Sequence, residues 1–167
     1  LSICNYWSTQ STIPFLILPP PSCRLGSCGN FERLLTFSSS TYVMLADQDD
    51  IWDLNKAEKL FSRMISLESF HGKSHPLLVH CDLRLIDHSG KKISNSFHGY
   101  QRLSPTRDDL VSIALQNIVT GCSCLVNKSC IKAALPFPSH VIMHDWWLAM
   151  VASRLGHIAY EQSPCVS

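Results

Sequence analysis

Two short apolar runs in this chain each stop on aspartate, and they frame an amphipathic segment. "YVMLAD" at 42–47 reads as a buried strand and "PLLVHCD" at 76–82 as a second one. Between them, "DLNKAEKLFSRMISLES" at 53–69 carries apolar residues at Ala57, Leu60, Phe61, Met64, Ile65 and Leu67, with Asp53 at its start, which predicts a helix. The alternation continues. "NFERLLTFS" at 30–38 has helical spacing with Asn30 as its cap, and "LRLIDHSGKKIS" predicts a hairpin turning at Ser89-Gly90. "SPTRDDLVSIALQ" at 104–116 predicts a helix, "NIVTGCSCLVN" at 117–127 a buried extended segment, and "KSCIKAAL" a short helix. "MHDWWLAMVASRLG" at 143–156 predicts an apolar helix ending at Gly156, and "HIAYEQSPCV" a last strand. Strands alternating with helices predict an α/β fold, a mainly parallel mixed sheet flanked by helices. Residues 1–30, rich in Ser, Pro and Cys, have weak periodicity.

A chain of 167 residues with 46% hydrophobic content can bury one core, which predicts a single domain. A formal net charge of +1 gives no global field for nucleic acid. No apolar run reaches membrane-spanning length, "IPFLIL" at 13–18 stopping at Pro19-Pro20-Pro21. The eight cysteines include no C-x-x-C pair, and most lie in apolar runs, so they read as reduced, mostly buried thiols. Both chain ends read as those of a fragment.

Ligands of open α/β sheets bind beyond the carboxyl ends of the strands. "ADQDD" crowds Asp47, Asp49 and Asp50 at such an end, and like charges this close call for a positive partner. Hard oxygen ligands of this kind suit Mg2+ or Mn2+, which would bridge a nucleotide diphosphate. The plain alternative is a polar turn with Asp50 capping the next helix. His140 and His144 are four apart, but "VIM" between them lacks the glutamate of the zinc-protease motif. Trp146 and Trp147 diverge by about 100° on a helix, so one at most stacks on a sugar.

"LADQDDIW" with its following helix resembles the D-x-D segment of family 2 glycosyltransferases, in particular the rhamnosyltransferase-like branch. "RLGSCGNFERLL", "LLVHCDLRLIDHSGKKISNSF", "NIVTGC" and "HDWW" follow the family in order and spacing, over residues 24–166. The resemblance implies a GT-A domain, incomplete at both ends. It implies a nucleotide-diphospho-sugar donor, thymidine-diphosphate rhamnose for that branch, and a glycan or lipid-linked acceptor of cell-wall polysaccharide synthesis. It places the protein in the cytoplasm or at the inner face of the cell membrane. Carried over by residue, Asp49 first and Asp47 second hold the metal, and Asp47, Asp49, Asp50, Arg24 and Asn30 hold the donor. Thr120, Gly121 and Trp146 lie on the acceptor side, and Asp145 is the base of an inverting displacement, with Asp82 as its rival. The chain departs from the family at 1–23, where "CNYWSTQST" stands in place of an acidic base-binding segment, so that region is read as degenerate. The alternative functions are a catalytically impaired remnant or carbohydrate-binding pseudoenzyme, and a metal-dependent phosphohydrolase.

Overall fold

A computed structural model describes residues 2–167. Its elements in chain order are α1 (Ser2–Gln10), α2 (Gly26–Phe37), β1 (Tyr42–Met44), α3 (Lys56–His71), β2 (Leu77–Leu83), β3 (Leu85–Ile86) and β4 (Lys92–Ser94). After them come α4 (Phe97–Gln101), α5 (Leu110–Leu115), a 3-10 turn at Gly121–Ser123, β5 (Cys124–Asn127), α6 (Lys128–Ala134), α7 (His144–Leu155) and β6 (His157–Val166). Leu1, where the region read as degenerate begins, lies outside the described residues.

The main sheet runs β1-β5-β2-β6. β2 is buried along its whole length because both of its faces are covered. Alternate side chains point to opposite faces. Leu77, Val79, Cys81 and Leu83 meet Leu60 and Met64 of α3 on one side. Leu78 meets the other side, where Leu148, Ala149, Ala152, Ile131 and Ile113 of α5, α6 and α7 form the larger core. Each fully buried Leu contributes about 1.5–3 kcal/mol relative to exposure. The result is three layers, helix–sheet–helix. The sheet is mixed, as expected, but less parallel than expected. β2 and β6 pair parallel, whereas β5 pairs antiparallel with both β1 and β2. β1, β2 and β6 therefore share one direction, and β5 opposes them.

Several boundaries move for local reasons. The helix expected from Asn30 begins at Gly26, so Asn30 is an exposed interior residue of α2 and caps nothing. The helix expected over 104–116 shortens to α5, because the Asp109 carboxylate accepts from Ser112 N (3.0 Å) and fixes the start there. Only 124–127 of the segment 117–127 is strand. Asn117 bonds across to Val119 through both its amide nitrogen and its oxygen (2.7 and 3.0 Å), and the Ser123 hydroxyl donates to Thr120 O (2.8 Å). These local bonds compete with a ladder. The hairpin of β3 and β4 forms as expected. Gly90 has φ +80°, and Asp87 Oδ1 accepts from Ser89 and Lys91. Five of the eight cysteines are buried, two are exposed, one is intermediate, and all are free.

His80 of β2 is wholly buried, and neither ring nitrogen has a hydrogen-bond partner among the described residues. Burial first, then the neighbouring His98, pushes its pKa from 6.5 down to about 3, against a smaller opposing pull from Asp82. The native state refuses a proton that the unfolded chain accepts. Its stabilisation is therefore complete above pH 6.5 and lost as pH falls toward 3, with a slope of up to about 1.4 kcal/mol per pH unit. Denaturant midpoints at pH 7 and pH 4.5 should differ clearly, and His80→Phe should narrow the difference. An unchanged difference in the variant would assign the acid sensitivity to other groups.

Candidate functional site

Because β1, β2 and β6 point the same way, the segments that follow them meet at one edge of the sheet. β5 runs against them, so the turn that precedes it arrives at the same edge. A cleft of about 390 Å3 lies there, lined by Asp47, Asp49, Asp50, Thr120 and Cys122 and also by Arg84, Phe97 and Ser167. The acidic loop is clamped by the residues at the end of β6. Ile51 and Ser167 exchange two backbone bonds (2.8 and 2.9 Å), and Asp53 N donates to Cys165 O (3.0 Å). The Asp53 carboxylate takes both terminal nitrogens of Arg84, whose Nε donates to Ser167 Oγ (2.8 Å).

The cluster at the centre of this cleft pairs Asp47 with Asp50 rather than with Asp49. One ligand atom each from Asp47, Asp50 and Cys122 lie within 4.8 Å of one another. Asp47 and Asp49 are both exposed residues of the cleft lining, but Asp49 does not join the cluster. Burial, and next the charge of Asp50, raises the Asp47 pKa above the ordinary carboxylate value. Asp50 Oδ2 is buried and has no hydrogen-bond partner among the described residues. Burial and the adjacent Asp50 carboxylate push the Cys122 thiol far up, so it keeps its proton. The donors that fit a hard divalent cation are therefore the two carboxylates, whose repulsion and unpaired oxygen such an ion would relieve.

The positive group beneath the acids is Lys56. It is fully buried, its ammonium donates to Cys122 O, and it lies 3.2 Å from the centroid of the Trp52 ring. Burial lowers its pKa, against an opposing pull from the Asp50 carboxylate. The sequence reading passed over it. The signal was available, because Lys56 stands four residues before Leu60 and eight before Met64, on the buried stripe of α3.

Asp145 occupies the first turn of α7 and is almost fully buried. Its Oδ2 accepts from Gly121 N (2.9 Å) and its Oδ1 from Trp146 N (2.7 Å). It thus ties the turn before β5 to the start of α7, with lone pairs left on each oxygen. Gly121 is required by close approach. A Cβ there would lie 2.9 Å from His144 Nε2 and 3.5 Å from Asp145 Cβ. The His144 ring stacks on Phe31 of α2 (3.7 Å between centroids). Burial lowers the His144 pKa, against the opposing charges of Asp145 and Asp47. Asp47, His144 and Asp145 therefore share one electrostatic environment.

Other expected site residues lie elsewhere. Asp82 is a structural anchor, accepting from Leu83 N, Phe97 N, His98 N (2.8, 3.0 and 3.1 Å) and the Ser96 hydroxyl. Burial alone would raise its pKa, but these bonds together hold it below the ordinary value. Arg24 and Asn30 are exposed and line no part of the acidic cleft. Trp146 turns away from the acids. Its Nε1 donates to Ile113 O (2.6 Å), and with Trp147, whose Nε1 donates to Ala134 O (2.9 Å), it lines a separate apolar groove. His140 is exposed and precedes α7, so it shares no helix face with His144. No helix among the described residues is long and apolar enough to cross a membrane. No protein-family model, no curated protein and no solved structure matches this chain.

Proposed function

We propose that this chain is a glycosyltransferase domain that moves a sugar from a nucleotide-diphosphate donor to a hydroxyl acceptor with inversion. The observation that carries the reading is that the Asp47–Asp50 pair, at the carboxyl edge of β1, feels the charge of Asp145, a buried acid outside the cleft lining that holds the N–H of Gly121 next to Cys122. The resemblance of "DQDDIW", "NIVTGC" and "HDWW" to family 2 glycosyltransferases gives the pair and the buried acid their separate roles. Asp47 and Asp50 would hold Mg2+ or Mn2+, which when bound supplies charge that stabilises the departing diphosphate. Asp49, which lines the cleft, would contact the donor. Asp145 accepts the proton of the acceptor hydroxyl as the new bond forms. Thr120 contributes a hydroxyl on the cleft side of the same turn. Rhamnose as its thymidine diphosphate is the first donor to try, and a glycan or lipid-linked alcohol the first acceptor.

A second reading, a carbohydrate-binding relative without transfer activity, is favoured by one observation. Arg24, Asn30 and the exposed helix α1 contribute nothing to the lining of the acidic cleft. Release of nucleoside diphosphate from a panel of sugar donors, with Mn2+ present, separates the two readings. Release supports the transferase; sugar binding without release supports the second reading. The metal assignment has its own test. Manganese affinity, read by electron paramagnetic resonance, should fall at least about tenfold in Asp47→Asn and Asp50→Asn and less in Asp49→Asn. Equal affinities in the parent chain and the Asp47 and Asp50 variants would overturn it.

A further inference from the structure

Two cavities flank α5, and the acidic cleft uses neither. On one side Arg102, Ser104, Arg107, Ser112 and Gln116, together with the apolar Leu115 and Ile118, line a largely polar pocket of about 240 Å3. On the other, Ala114, Ile142, Trp146, Trp147 and Met150 line an apolar groove of about 270 Å3, with His140 at its rim. Only α5 separates them, and a helix with its side chains is about 10–12 Å across. One ligand of lipid dimensions can therefore reach both.

The polar pocket holds two cations without anions. The ion pairs of the described residues join Lys73 to Glu68, Arg84 to Asp53 and His98 to Asp82, and include neither Arg102 nor Arg107. A planar guanidinium pair flanked by hydroxyls suits a phosphate group. The groove is of opposite character. Both indole N–H groups already donate to backbone carbonyls, so the tryptophans offer it only apolar surface. The ridge around the two cavities is apolar and open to solvent, with Val111 69%, Leu115 80% and Ile142 74% exposed. Large apolar residues this exposed, beside unpaired arginines, mark an interfacial surface.

We propose that this face binds an anionic phospholipid, its phosphate between Arg102 and Arg107 and its acyl chain over α5 in the Trp146–Trp147 groove. Charge complementarity selects the headgroup, and the closed indole donors select a chain over a sugar. The site seats the protein on a membrane surface without a spanning helix. It does not rest on the transferase reading, and its test reads binding alone.

The test is co-sedimentation of the whole chain with vesicles of phosphatidylcholine, with and without phosphatidylglycerol. Binding should require phosphatidylglycerol and weaken with added salt. The double variant Arg102→Gln/Arg107→Gln should lose binding at least tenfold, and Leu115→Ser/Ile142→Ser by a comparable factor. All four positions are at the surface, so circular dichroism should show the parent fold. Equal binding to phosphatidylcholine alone, no binding to either vesicle, or binding that neither double variant changes would overturn the proposal. Arginine-dependent binding of inorganic phosphate or RNA without vesicle binding would overturn it too.

Discussion

Asp145→Asn is expected to lower sugar transfer by about two to four orders of magnitude, the range for a lost general base, with donor affinity nearly intact. The donor is assigned to Asp47, Asp49 and Asp50, on the other side of the Gly121 turn, so its binding does not pass through Asp145. Asparagine keeps an oxygen for Gly121 N–H or for Trp146 N–H, but its amide group faces the other donor. A modest loss of stability, on the order of 1–3 kcal/mol, should accompany the loss of rate. Asp82→Asn gives the contrast. That carboxylate accepts three bonds that hold the start of α4, from Ser96, Phe97 and His98, and one from Leu83 N, so the variant should melt earlier and turn over normally in its folded fraction. Measuring rate, donor affinity and melting temperature on both variants separates base from anchor. Unchanged transfer by folded Asp145→Asn would remove Asp145 from the mechanism.

Gly156→Ala should be the most destabilising single methyl in the molecule. A Cβ at Gly156 would sit 1.8 Å from Pro76 O and 2.7 Å from Pro76 C. These are backbone atoms, so no side chain can rotate aside. The same carbonyl accepts from His157 N (3.0 Å), where β6 begins its parallel pairing with β2. Relief requires the two strands to part at their first rung. A cost of about 3 kcal/mol or more is expected, lowering the melting temperature by roughly 10 °C. Gly90→Ala is the control. Its φ is +80°, but nothing lies within 4 Å of the added methyl, so only about 1 kcal/mol is at stake. A Gly156→Ala protein melting within two degrees of the parent would show that the β2–β6 junction yields.

The layers were legible because periodicity survives burial. "PLLVHCD" and the amphipathic run after "DQDD" appear where expected, one as β2 and the other as α3. Orientation within α3 was not legible from apolar counting. Phe61 and Ile65 remain exposed, while the buried stripe runs Lys56, Leu60, Met64, Glu68. The two polar ends belong there because each finds a partner, Lys56 at Cys122 O and Glu68 at the Tyr42 hydroxyl (2.8 Å). Such partners come from distant segments, and no local pattern announces them. The same limit applied at the acids. The resemblance gave the metal to Asp49 and Asp47, whereas the turn after β1 brings Asp50 beside Asp47 and Cys122. It applied again at Trp146, which the resemblance set on the acceptor side and whose indole lines a separate apolar groove.

Ile51 and Ser167 lie far apart in the sequence, yet their backbones are bonded to each other. Closing so long a loop costs entropy before it returns any contact, and such pairings form late. Through most of folding, Asp47, Asp49 and Asp50 therefore ride on a loop whose own charges spread it open. On the ribosome that loop emerges well before its partners Cys165 and Ser167. Amide hydrogen exchange should carry the imprint. The amides of Ile51 and Asp53, bonded to Ser167 O and Cys165 O, should exchange together with those of the end of β6, and not with those of their sequence neighbours in β1.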